Sequence, residues 1–283
     1  MKNFSFFDKD TCPESDLALE RRRADTTVTG VDYKQDRSAI GHWERIRITT
    51  DEGAKSIGRP IGIYDTLTLP RMDQLDYDGI DDAKNEIAAE LCRIFDANHI
   101  YPERILVVGL GNCSLTPDAV GALSAQSVEP TMHIKAMDEG AFEALDCSEI
   151  AVVRPGVTAE SGIDASEIVI GVCGRIRPDA IIAVDAIASR SPERLGTTIQ
   201  LSDTGILPGG GLGTPRKAIN EHTVGVPVIS IGVPTVIDSR LLSSEEAKDS
   251  SRMFVAPKEI DGIVKKAAEI IGGGINQAFG ILS

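Results

Sequence analysis

The chain has 283 residues, 42% hydrophobic and 25% charged, the balance of a soluble globular protein with room for one large α/β domain. Its formal net charge of −14 argues against direct binding to nucleic acid, because phosphate recognition needs a basic surface, and suits a basic polypeptide partner. No stretch is long and apolar enough to span a bilayer, and the amino terminus lacks a signal-peptide pattern, so a cytoplasmic protein with no membrane partner is expected.

Residues 1–40 are polar and show no periodic apolar pattern, which reads as a flexible or loosely packed arm. Segments 42–50 and 60–69 alternate like strands, and 81–98 reads as an amphipathic helix carrying Ile87, Leu91, Ile94 and Phe95 on one side. From 104 onward the texture is that of a buried α/β sheet. Short apolar or β-branched runs at 105–108, 149–153, 180–184, 198–201 and 226–231 predict strands. A crossover helix over 165–176 favours parallel pairing. A last helix over 257–271 is expected to open at Pro257 and close at Gly272-Gly-Gly274. The expected fold is α/β, a mostly parallel central sheet flanked by helices.

Two aspartates draw attention within that pattern. Asp118 follows the strand-like run Ile105–Val108 through the glycine turn Gly109-Leu-Gly111, and Asp185 closes the run Ala180–Val184. Ligands of open α/β sheets bind beyond the carboxyl ends of the strands. Two carboxyl groups meeting there share a proton and activate water, which points to a hydrolase. The plain reading of Asp118 is an acid at a helix start after Pro117; an ionisable side chain closing a buried strand, as Asp185 does, must be paired or functional.

Other motifs weigh less. Gly109-Leu-Gly111 lacks the third glycine of a dinucleotide fingerprint, since position 114 is Ser. Gly209-Gly-Gly-Leu-Gly213 lacks a phosphate-loop ending and reads as a mobile loop, or as a lid over a substrate. Asp203-Thr-Gly205 matches the triplet of pepsin-like proteases, which are all-β; here it reads as a turn, or as a further acid beside the crevice. The five cysteines are odd in number and have no C-x-x-C spacing, so neither disulfides nor a zinc knuckle is expected. The four histidines form no H-E-x-x-H, and no cofactor or metal is expected, although a His–carboxylate metal site assembled from distant positions stays open.

Read together, Val107–Gly121, Arg154–Thr158, Pro178–Arg194, Ile199–Gly213, Gly225–Asp238 and Val255–Ile260, with Ser15–Glu20 at the amino end, resemble the germination protease family of spore-forming bacteria. The resemblance implies a fold like that of the hydrogenase-maturation peptidases. It implies an endopeptidase, an atypical aspartic type, that starts the degradation of small acid-soluble spore proteins during germination. It further implies a homotetramer made as an autoprocessed zymogen in the forespore, with Asp118 and Asp185 as the catalytic pair and no cofactor. Family processing at Asp-Leu-Ala falls here between Asp16 and Leu17, so residues 1–16 are expected to be a propeptide and 17–283 a single α/β peptidase domain. Met1 heads the chain, the form expected before processing. Longer members carry an insertion where this chain has only the polar stretch 239–253. Two rivals accompany this reading: a metal-dependent maturation-type peptidase, and a non-catalytic binder of basic spore proteins.

Overall fold

The computed structural model describes residues 15–21, 28–210, 217–242 and 253–281. In chain order they form β1 (Val31–Arg37), β2 (His42–Ile48), α1 (Asp51–Ile57), β3 (Gly62–Thr68), α2 (Tyr77–Ala97), β4 (Arg104–Gly109) and α3 (Val120–Gln126). There follow α4 (Met132–Met137), α5 (Glu139–Leu145), β5 (Glu149–Val153), α6 (Thr158–Ser161), α7 (Ala165–Ile176), β6 (Ala180–Ser189) and β7 (Thr198–Ser202). The chain ends through α8 (Glu221–Val224), β8 (Val228–Asp238), β9 (Phe254–Val255) and α9 (Ile260–Ala278).

One sheet takes the strand order β1-β2-β3-β7-β8-β6-β4-β5, with β9 beside β8. The expected α/β class holds, but the sheet is mixed rather than mostly parallel. Parallel pairing is confined to β8, β6, β4 and β5. The pairs β1/β2, β2/β3, β3/β7, β7/β8 and β8/β9 are antiparallel. The reason lies in the connections. Crossover helices precede β5 and β6, whereas β2 follows β1 through a turn too short for a parallel return.

Along β4 and β6 successive side chains alternate between two cores. Ile105, Val107, Ile182 and Val184 pack with α2, α3 and α9. Leu106, Val108, Ile181 and Ala183 pack with α7. Burial on both faces explains why these strands read as continuous apolar runs. A third core joins Ile46, Ile48, Ala54, Ile57 and Tyr64 to Ala18 and Leu19.

Two expectations change. The polar arm is not uniformly loose: β1 lies within it as an edge strand, and Ser15–Arg21 docks on the sheet, with Leu17 fully buried. Residues 1–14 and 22–27 lie outside the described residues. The glycines Gly272–Gly274 do not end the last helix, which runs through them. They are buried contact points: a Cβ at Gly274 would lie 2.8 Å from Ile87 Cβ of α2, and one at Gly272 would lie 2.5 Å from Ser127 Cβ. Close helix approach, not termination, is their use. Of the polar stretch 239–253, residues 243–252 also lie outside the described set.

Candidate active site

β4 and β6 differ in length, and that difference makes the site. The last β4/β6 pair is Gly109 with Val184. β6 continues to Ser189, still paired with β8 through Asp185–Gly232 and Ala186–Val233. Asp185 is therefore the first residue of β6 beyond the end of β4, within a strand rather than at its close. The chain leaves β4 toward β5 on one side and returns as β6 on the other, so a crevice opens at this switch point.

Asp118 reaches the same crevice from the turn after β4. Gly111 holds φ 96°, a conformation that favours glycine, and a Cβ there would stand 1.9 Å from Asp118 O. The backbone thus doubles back under the 3-10 turn Thr116–Asp118, in which Pro117 takes a first-turn position. The Asn112 N–H donates to Asp118 Oδ2 at 2.9 Å, and the Ala186 N–H donates to Asp185 Oδ1 at 2.9 Å.

A cavity of about 310 Å³ has both carboxylates in its wall, with Gly111, Leu115, Leu207 and Asp16 among the other lining residues. Asp185 is 5% exposed and Asp118 is half-buried. Thr235 of β8 also lines the cavity, and its buried hydroxyl has no hydrogen-bond partner, leaving a donor for a bound group or water. Among the described residues, no three His, Cys, Asp or Glu side chains gather as a metal-holding group.

Of the Asp16–Leu17 bond singled out for processing, Asp16 lines this cavity, and Leu17 is fully buried beside it in the chain. The Asp16 N–H donates to Ala188 O at 2.9 Å, and the Ala188 N–H donates to Asp16 Oδ2 at 3.0 Å. The Ala18 N–H donates to Gln200 Oε1 at 2.9 Å. Glu20 fastens the segment further by accepting the Arg190 N–H at 2.7 Å and the Ser191 N–H at 3.2 Å. Arg59 stands 3.8 Å from Asp16 Oδ1. Burial, then the neighbouring Arg59 charge, push the Arg21 pKa down to about 10.

Asp203 is elsewhere. It accepts the Ile63 N–H at 2.7 Å and the Asn98 side-chain amide at 3.1 Å, which ties β3 and α2 to the end of β7. Burial raises its pKa. It does not line the carboxylate cavity, so of its sequence readings the structural one holds. In the glycine-rich loop, Gly209 lines the cavity, while Gly211–Gly213 lie outside the described residues. No sequence motif pointed to Arg59, Gln200 or Thr235. Only the fold brings them beside Asp16 and the carboxylates.

Fold and cavity define an α/β protein with an acid-lined cleft at a switch point of its sheet. The family model for germination protease matches residues 10–250. A germination protease of Caldanaerobacter subterraneus subsp. tengcongensis is 34% identical over 93% of each chain. One of Clostridium perfringens is 32% identical over 93% of this chain and 94% of its own. One of Oceanobacillus iheyensis is 42% identical over 69% of this chain and 53% of its own. Among solved structures, a hydrogenase maturation protease HycI from Thermococcus kodakarensis is similar with a TM-score of 0.38 and 18% identity, over 66% of this chain and 99% of that one. The chain belongs to the germination protease family and is a peptidase acting on protein substrates. No described helix is long and apolar enough to cross a membrane.

Proposed function

We propose that the chain is an endopeptidase of atypical aspartic type, with Asp118 and Asp185 as its catalytic pair. The observation that carries this reading is their common cavity, shared with Asp16. In the proposed step one carboxylate is ionised and takes a proton from water as the water oxygen bonds to the scissile carbonyl carbon. The other is protonated and gives its proton to the amide nitrogen as the C–N bond breaks. Like charges in one site drive their two pKa values apart, which supplies both protonation states. General acid–base help contributes roughly 10²–10⁴-fold, so N–H and O–H donors that steady the tetrahedral oxyanion are also required; Thr235 and the Gly109–Asn112 turn are the nearest candidates.

The family resemblance extends the reading. The substrates are small acid-soluble spore proteins, degraded at germination in the spore core. Residues 1–16 are a propeptide removed by cleavage between Asp16 and Leu17, and the working form is a homotetramer. The docking of Asp16 beside the carboxylates supports self-processing, and the burial of Leu17 supports an inactive precursor whose own segment fills the substrate path.

The test is incubation of the full chain with a small acid-soluble spore protein, read by mass spectrometry of both. Cleaved substrate and a new amino terminus at Leu17 are expected. Binding without cleavage would favour the non-catalytic binder. Activity lost on dialysis against a chelator and restored by a divalent cation would favour the metal-dependent peptidase.

A further inference from the structure

We propose that Thr235 is a catalytic residue of the peptidase centre, its hydroxyl donating to the oxygen of the scissile carbonyl as that oxygen gains negative charge. This deepens, and rests on, the reading of the Asp118–Asp185 cavity as the place of cleavage.

The case starts with the strand. β8 lies between β7 and β6 in the sheet, and its pairing with β6 is regular up to Ile187 with Pro234. The next pair is Ala188 with Val236. Thr235 is therefore one residue too many on β8, the extra residue of a β-bulge. Pro234 stands immediately before it, and a proline within a central strand, unable to donate to the ladder, belongs at a bulge. A bulged strand bends and twists more strongly, and such bulges sit next to active sites, where they re-aim a side chain. Two residues earlier, Val233 packs in the core with α2, α3 and α9. Thr235 instead lies in the wall of the cavity that holds Asp118, Asp185 and Asp16.

The fold itself makes no use of this hydroxyl. Thr235 is fully buried, yet its Oγ1 has no hydrogen-bond partner. Buried polar groups are nearly always paired, and one that is not calls for a reason. Backbone donors around the same cavity are already committed. The Leu110 N–H goes to Val184 O, the Asn112 N–H to Asp118, the Ala186 N–H to Asp185 and the Ala188 N–H to Asp16. The Thr235 O–H is a donor held on a rigid strand and unspent within the chain.

Its level in the sheet suits the substrate rather than the carboxylates. Thr235 stands at the step from Ile187 to Ala188, and Ala188 exchanges hydrogen bonds with Asp16 of the docked segment. Asp185 pairs lower on β8, with Gly232. In the proposed step the water oxygen bonds to the carbonyl carbon and the C=O electron pair moves onto the carbonyl oxygen. Thr235 donates a hydrogen bond to that oxygen and keeps its proton. The pair returns as the C–N bond breaks and the amide nitrogen takes its proton from the acidic carboxyl group. A donor aimed at the developing charge, and fixed beforehand, lowers the barrier without strengthening substrate binding.

The test is self-cleavage of the purified full chain, where the segment is already docked and the rate contains no binding step. Wild type, Thr235→Val and Thr235→Ser are followed by mass spectrometry of the new Leu17 terminus, with urea unfolding of each. Valine keeps the shape and loses the hydroxyl; its rate is expected to fall by about 10²-fold, with stability held or raised. Serine keeps the hydroxyl and is expected to retain most of the rate. Equal rates for wild type and the valine variant would overturn the proposal. So would equal losses in the valine and serine variants, the pattern of a purely structural role. If the wild-type chain does not cut itself, the three proteins are compared on a small acid-soluble spore protein. A fall in kcat with KM unchanged in the valine variant then sustains the proposal, and unchanged kcat overturns it. Wild type inactive in both assays ends the peptidase reading, and this proposal with it.

Discussion

Replacing Gly121 with alanine should damage both stability and activity, although alanine is the better helix former. Gly121 sits in the first turn of α3, where the helix crosses the end of β4 and β6. A Cβ built there would lie 2.1 Å from Val184 O, 2.6 Å from Leu110 O and 2.8 Å from Leu110 N. All three are backbone atoms, so no side chain can rotate away. Real Cβ atoms essentially never come closer than 3.0 Å, so helix and strands must separate by about 0.9 Å. Overpacking of this kind costs about 1–3 kcal/mol, against a helix-propensity gain of about 1 kcal/mol; a net loss is expected. The strained atoms adjoin Asp185 on one side and the turn to Asp118 on the other. A displacement near 1 Å at reacting groups lowers rates by about 10²-fold. Urea denaturation and peptide kcat/KM on the same preparation measure both effects. A variant with wild-type stability and rate would refute the claim that α3 packing sets the carboxylate geometry.

Three further changes probe separate parts of the molecule. Asp65, between β3 and α2, is pushed from 3.8 to about 8 by burial and by the adjacent Glu90 carboxyl, against the pull of Arg93 and Arg45, while Arg93 and Arg45 keep Glu90 ionised and its pKa lowered. A raised folded-state pKa contributes stability that is complete below about pH 4 and lost as pH climbs through about 8. Asp65→Asn should therefore flatten the fall in urea-derived stability between pH 5.5 and 8.5, and an unchanged slope counts against the assignment. Asp203→Asn should cost about 1 kcal/mol through its two hydrogen bonds yet leave peptidase activity near wild type; loss of activity in a folded variant would return Asp203 to the site. Thr235→Val removes a buried hydroxyl that has no partner, so the unfolding free energy should hold or rise by up to about 1 kcal/mol, while kcat/KM falls; full activity would show that this hydroxyl does not serve the substrate.

Much of the α/β half was legible because its signals are local. The helix over 165–176 matches α7, and the apolar runs match β4–β8, since strands buried on both faces leave continuous Ile, Val and Ala. Asp185 stood out for the same reason, as a charge in an apolar run. Pairing direction was less legible. Whether a strand is parallel depends on where its connection goes, and β3, which carries β2 and β1, pairs antiparallel with β7 over a sequence separation no short pattern encodes. The glycines of α9 misled because their reason for being small is Ile87 on α2 and Ser127 just past α3. Arg59 lies in a short turn before β3 without any motif, and only the fold places it 3.8 Å from Asp16.

The most direct test is the rate at which purified Asp118→Asn and Asp185→Asn variants cut a small acid-soluble spore protein, with thermal melts run alongside. Each variant is expected to lose about 10²-fold or more while melting close to wild type, because an asparagine oxygen still accepts the Asn112 and Ala186 N–H groups. Wild-type cleavage by either variant would contradict a shared-carboxylate mechanism.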